Sequence, residues 1–190
     1  MEAIIPLLII AILIIFPLVW LIATFNRFAR LRLHIRESWS DIDVEMKRRY
    51  ELIPNLVEAV RGYAKHELTI FQEVSGLRAR ALENHGTAME QAFDETALQI
   101  GIKRLFAIVE TYPELKADTH FMALQVELAN TEDRIAASRR FYNGNVRELN
   151  QLCEQFPSSI VANSFGFDRA EFFELSSEAE RVVPRAELAN

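Results

Sequence analysis

Apolar, uncharged side chains run almost unbroken through residues 3–25, and beyond them apolar positions recur at intervals of three and four. The first run predicts a helix of about 34 Å at ~1.5 Å per residue, enough to cross a hydrocarbon core of ~30 Å. Pro6 falls in its first turn, where no intrahelical N–H is lost. Pro17 is interior and predicts a kink of the kind membrane helices tolerate. With no ionisable group inside, the segment offers no path for a proton or ion. A cleaved signal peptide calls for a basic start, a shorter apolar stretch and small residues at the cleavage site. Here the start is Met1-Glu2, the run closes on Trp20-Leu21-Ile22-Ala23-Thr24-Phe25, and no cysteine follows before Cys153. Residues 1–26 are therefore read as a transmembrane anchor, bounded by Ala3 at one end and by Trp20, Phe25, Arg27, Arg30 and Arg32 at the other.

The spacing after the anchor is helical throughout, with six Gly and six Pro in 190 residues and no sustained two-residue alternation. Phe25, Phe28, Leu31, Ile35, Trp39, Ile42, Met46 and Ile53 form one stripe, which predicts a helix leaving the membrane and reaching about Tyr50. Pro54 ends it, kinks it or opens the next helix. A second helix carries Leu56, Val57, Val60, Ala64, Phe71, Val74 and Leu77. Gly86 suits a left-handed cap, and Thr87 followed by Glu90 reads as a capping box for a third helix bearing Phe93, Ala97, Gly101, Leu105, Ile108 and Tyr112. Asp118 caps the last long helix, whose stripe runs from Phe121 through Leu128, Ile135, Tyr142 and Leu149 to Phe156, where Pro157 stops it. Short connections between long helices predict antiparallel neighbours: an all-α, up-and-down four-helix bundle over residues 27–160, followed by a Phe-rich segment and polar tail over 161–190.

Charge adds an orientation. Four of the 21 Lys and Arg lie at Arg27, Arg30, Arg32 and Arg36, and only Glu2 of the 27 Asp and Glu precedes residue 37. The chain from Glu37 onward thus carries 17 basic against 26 acidic side chains, a balance of −9. The positive-inside rule puts the N-terminus outside and the bundle in the cytoplasm. An acidic body argues against nucleic-acid binding, while the collar of arginines suits anionic head groups of the bilayer. One cysteine means no internal disulfide.

Several ordered blocks carry a resemblance. They are Ser38-Trp39-Ser40-Asp41-Ile42-Asp43-Val44, Lys47-Arg48-Arg49-Tyr50-Glu51-Leu52-Ile53-Pro54-Asn55-Leu56-Val57, Gly62-Tyr63-Ala64-Lys65-His66-Glu67 and Tyr112-Pro113-Glu114-Leu115-Lys116-Ala117. Thr131-Glu132-Asp133-Arg134-Ile135-Ala136, Phe156-Pro157-Ser158-Ser159, Phe165-Gly166-Phe167 and Glu171-Phe172-Phe173 follow. Across essentially its whole length the chain resembles the LemA family of bacterial membrane proteins. The resemblance implies one N-terminal membrane helix, a four-helix bundle and the bacterial cytoplasmic membrane, and it brings no catalytic residues.

The residues themselves offer little chemistry. His66-Glu67 lacks the second histidine of a zinc-binding His-Glu-x-x-His helix, since Ile70 stands at that position, and His34, His85 and His120 fall at no ligand spacing. Glu67, beside the apolar stripe, is a paired structural carboxylate or, in the alternative function, the centre of an enzyme site between helices. Asp41, Asp43 and Glu45 stand at steps of two, which face away from each other on a helix, Glu45–Arg49 reads as an ordinary i,i+4 pair on a solvated face, and Lys47-Arg48-Arg49 beside them makes a weak anion site. Cys153 reads as a small half-buried residue. No Walker loop, dinucleotide turn or nucleophile elbow is present. The expectation is therefore no enzyme, no cofactor, no metal site and no small-molecule substrate.

Interaction features are stronger. The second helix has an apolar face wider than one seam, and Phe165, Phe167, Phe172 and Phe173 crowd into nine residues, with Asp168-Arg169-Ala170-Glu171 between them suited to capping a short helix. That segment is either a lid on the bundle or a docking or membrane-interface element. The expected function is a membrane-anchored scaffold or adaptor that binds itself or another membrane protein.

Overall fold

The computed structural model describes residues 4–175, with residues 5–8 described by backbone alone. Ala3 and the tail beyond residue 175 lie outside the described residues. All regular structure among them is helical: α1 (Ile4–Tyr63), α2 (Leu68–Glu83), α3 (Ala88–Val109), the single turn α4 (Pro113–Lys116), α5 (Thr119–Glu154) and α6 (Ser158–Phe165). They fall into two compact units. One takes the chain up to Glu37 together with Tyr142–Ala170; the other takes Ser38–Phe141 and the chain from Glu171.

α1 is one helix of 60 residues that passes Pro54 and ends only at Tyr63. The expected stop near Tyr50 is absent because Ile53, Leu56 and Val60 continue the buried stripe of Ile42, Met46 and Tyr50. Packing along that stripe outweighs the local cost of proline. Between residues 9 and 22 nearly every side chain is exposed, Phe16 by 72%. α1 is the helix among the described residues that is long and apolar enough to cross a membrane.

In the larger unit, residues 38–63 of α1 pack with α2, α3 and residues 119–141 of α5. Arg48 pairs with Glu127 and Glu45 with Arg134, which makes α1 and α5 antiparallel there. Arg104–Glu73 and Arg80–Asp94 set α3 antiparallel to α2. The two helices approach closely at Gly101, where a Cβ would lie 2.7 Å from Leu77 Cδ1.

The caps follow the sequence with one exception. Thr87 accepts from the Glu90 N–H while the Glu90 carboxylate accepts from the Thr87 N–H, completing the capping box of α3. Thr87→Ala is expected to lower stability by about 1 kcal/mol in chemical unfolding. Asp118 accepts from the Phe121 N–H at 2.9 Å. Gly86, however, takes no left-handed conformation; among the described residues only Gly166 does. The side chain of Asn84 accepts from the Gly86 N–H at 2.9 Å, so an Asx-type turn closes α2 instead.

α3 buries Gly101 and Leu105 of the expected stripe but departs from the rest of it. Ala92, Glu95, Leu98, Ile102, Leu105 and Val109 are buried with Gly101, whereas Phe93 is 72% exposed. Asp168–Glu171 belongs to an irregular segment and opens no helix of its own; Glu171 Oε2 instead accepts from the Met89 N–H in the first turn of α3 at 3.5 Å.

Candidate functional site

The larger unit encloses a charged centre. On α1, Ile42, Met46, Tyr50 and Ile53 face the core at helical spacing, and Arg49, 1% exposed, shares that face. On α3, Glu95 occupies the position between Ala92 and Leu98 in the buried series and is 2% exposed. On α5, Glu132 lies beside Thr131, which is buried between Leu128 and Ile135. Arg49 Nη1 donates to Glu132 Oε1 at 2.8 Å, and Arg49 Nη2 is ion-paired with Glu95 Oε2.

Further donors complete the carboxylates. The Tyr50 hydroxyl donates to Glu95 Oε1, and Gln99 Nε2 donates to Glu132 Oε2 at 2.9 Å. Arg78 Nε reaches from α2 to the Tyr50 carbonyl at 2.5 Å. Burial pushes the Tyr50 hydroxyl above the usual tyrosine range, keeping it a protonated donor. One guanidinium therefore joins three helices.

A buried ion cluster of this kind contributes little net stability relative to an apolar core, yet removing one member leaves a charge stranded. Its effect is selective. A slide of α1 by one turn against α3 takes Arg49 away from Glu95, and one against α5 takes it away from Glu132, so the cluster favours one register of the bundle.

This arrangement corrects the reading of Glu45 and Arg49 as a solvated pair. Glu45 faces Arg134 across to α5 instead, at 3.7 Å. The anion site suggested by Lys47-Arg48-Arg49 is spent on carboxylates: Lys47 pairs with Asp43, Arg48 with Glu127, and Arg49 with Glu95 and Glu132.

Glu67 is half-buried at the start of α2, where its side chain makes no capping bond, and His66 beside it is exposed. Glu67→Gln is expected to change the unfolding free energy by no more than about 0.5 kcal/mol, the range of an uncommitted surface position. Among the described residues no group of three or more His, Cys, Asp or Glu side chains is placed to hold a metal ion. At the start of α5 the Phe121 N–H and the Tyr63 hydroxyl hold the Asp118 carboxyl below the usual carboxylate range, so this cap persists at neutral pH and is lost only as pH falls through that lowered value.

The smaller unit surrounds the end of the apolar stretch. Phe28, Leu31, Leu149, Leu152, Val161, Ala162 and Phe167 form its core, with Trp20, Leu21 and Cys153 packed against it. Phe167 stacks on Phe28 at 4.6 Å between ring centroids, and Phe25 meets Phe165 and Phe167 edge-on. Gly166 turns the chain with a φ of 67°, and Arg32 lies over the Phe167 ring at 4.5 Å while donating to the Gly166 carbonyl. Arg27 pairs with Glu148 at 2.8 Å, and Arg30 is exposed. Burial pushes the Cys153 thiol up, and its Sγ donates to the Phe167 carbonyl.

Of the four C-terminal phenylalanines, Phe167 is thus buried in the smaller unit. Phe173 is fully buried in the larger one, edge-on to Trp39 at 5.3 Å. Phe172 is half-buried and Phe165 half-exposed.

Comparison with known proteins agrees with this architecture. The LemA family profile matches residues 38–187. The chain belongs to the LemA family. The magnetosome protein MamQ 2 of Paramagnetospirillum magneticum is 27% identical over 179 residues, covering 81% of this chain and 66% of that protein. MamQ of Magnetospirillum gryphiswaldense is 26% identical over 80% of this chain and 65% of its own length. Protein LemA of Metamycoplasma hominis is 25% identical over 87% of this chain and 75% of its own. This LemA-family chain therefore spans just under two thirds of the MamQ relatives. Neither the family's description nor these names specify a reaction.

Proposed function

We propose that this chain is a single-pass, membrane-anchored scaffold or adaptor whose helical bundle acts by protein–protein contact or self-assembly at the cytoplasmic face. One observation carries the reading. A single helix, α1, begins as a stretch whose apolar side chains are exposed and continues into a stripe that is buried. The exposed stretch requires a non-aqueous surrounding, and the buried stripe requires a folded bundle. The cluster of arginines that follows the apolar stretch favours a cytoplasmic bundle.

The ion cluster of Arg49, Glu95 and Glu132 suits a scaffold, since it fixes register and so presents a constant surface. On that surface Met89 and Phe93, one turn apart on α3, each expose most of their side chains. A double Met89→Ser, Phe93→Ser substitution is expected to weaken association while leaving unfolding within about 0.5 kcal/mol of the parent.

Crosslinking in intact membranes, followed by purification in mild detergent, tests the reading. A stoichiometric partner identifies an adaptor, and recovery of its own multimers identifies a homo-oligomeric scaffold. A chain recovered only as a monomer contradicts the proposal.

A further inference from the structure

We propose that the turn joining α5 to α6 is a second membrane contact, in which Phe156, Ile160 and Phe165 enter the bilayer beside the α1 anchor. The inference rests on the reading of α1 as a membrane span and adds a lipid-facing surface to it. All of its parts lie within the smaller unit.

Depth comes first. The Arg27–Glu148 pair fixes a level shared by α1 and α5. Trp20 and Leu21, inside the apolar stretch of α1, pack against a core to which α5 gives Leu149 and Leu152 and α6 gives Val161 and Ala162. α5 therefore runs back along α1 toward the apolar end. Six residues of α5 separate Glu148 from Glu154 at its end, an advance of about 9 Å at ~1.5 Å per residue. That advance brings the end of α5 to the level of about Leu21, within the stretch assigned to the bilayer, and Phe156 follows two residues later in the turn to α6.

Composition comes second. Three large apolar side chains stand outward at this end, beside the uncharged Gln155, Asn163 and Ser164: Phe156 is 82% exposed, and Ile160 and Phe165 are each at least half exposed. Such a cluster is costly in water and favourable at the headgroup–acyl boundary. α6 carries no ionisable side chain, having the sequence Ser-Ser-Ile-Val-Ala-Asn-Ser-Phe. Within the unit Arg169 pairs with Glu154 at 2.9 Å and Arg27 with Glu148, while Asp168 is exposed at the far side of Gly166. Arg30, exposed on α1 beyond the apolar stretch, is left to meet lipid head groups. The occupant of this surface is the lipid itself, by continuity with the exposed face of the anchor. A membrane contact at two points restrains the tilt of α1, which a lone span does not do.

Single environment-sensitive fluorophores test the inference on the full chain. In a Cys153→Ser background, labels at Phe156→Cys and separately at Ile160→Cys report on the turn. Leu13→Cys reports on the span, and Ser75→Cys on a water-facing position of α2. The proteins are reconstituted into phosphatidylcholine–phosphatidylglycerol vesicles with brominated acyl chains, and aqueous iodide serves as the opposing quencher. The proposal expects labels at 13, 156 and 160 to lose most of their emission to bromine and little to iodide, with the reverse at 75. Bromine quenching at 13 with iodide quenching at 156 and 160 overturns the second contact and leaves the span standing. Labels at 156 and 160 quenched by neither agent indicate a covering protein and also overturn it. A label at 13 quenched by iodide overturns the span and the contact together.

Discussion

Arg49→Met is expected to destabilise the bundle by about 3–5 kcal/mol, the largest effect of any single polar substitution in this chain. The substitution keeps the length of the side chain and most of its apolar volume, so the loss does not come from a cavity. It comes from the buried Glu95 and the partly buried Glu132, which lose the guanidinium that serves both. Tyr50 and Gln99 donate one hydrogen bond to each carboxylate and do not supply the missing charge. Far-UV circular dichroism during chemical unfolding in detergent micelles measures the effect. Replacing Arg49, Glu95 and Glu132 together with Met, Leu and Leu, with Tyr50→Phe, is expected to recover most of the loss, because no charge is then stranded. If the triad also sets register, the recovered variant will show a broader set of crosslinks between cysteines placed on α1 and α5. A single-substitution loss below about 1 kcal/mol would mean that Arg49 reaches solvent.

This cluster also marks the limit of what the sequence disclosed. The existence and order of the long helices, the capping box at Thr87, the cap at Asp118 and the stop at Pro157 were all legible, because each rests on local chemistry or on a long apolar repeat. Arg49 was not. A charged residue with an acidic neighbour four positions away has the signature of a solvated pair, and Glu45 stands at that distance. The contrary signal was positional: Arg49 lies seven residues after Ile42 and four before Ile53, on the same face as both. Glu95 likewise lies three residues from Ala92 and from Leu98. Which charges meet across helices depends on tertiary register, and one sequence does not state it.

The misplaced stripe on α3 has a related cause. Phe93 is a natural core residue by type, but the buried face runs through Ala92, Glu95 and Leu98, where a small and a charged side chain hold two of the three positions. The extension of α1 through Pro54 is the reverse case, in which a local breaker yields to packing on both sides of it.

Phe173→Ala is expected to cost about 3–5 kcal/mol, in the range of large core truncations. Phe173 is fully buried and meets Trp39 edge-on, so its removal costs both the buried area and an aromatic pair. Phe172→Ala, one residue earlier and half-buried, is expected to cost much less. The contrast separates the two readings of the Phe-rich segment. A segment that belongs to the folded core gives a large difference between adjacent positions. One that docks elsewhere gives two small and similar losses. The same unfolding measurement, made on both variants at one pH, decides between them.

The central claim is that α1 anchors an otherwise folded bundle in a membrane with the bundle on the cytoplasmic side. It is tested most directly by alkaline extraction of membranes combined with protease treatment of sealed vesicles of both orientations. The account predicts that the chain stays with the lipid at alkaline pH and that the bundle is digested only in inside-out vesicles. Release of the intact chain by alkaline extraction, or digestion of the bundle in right-side-out vesicles, would contradict it.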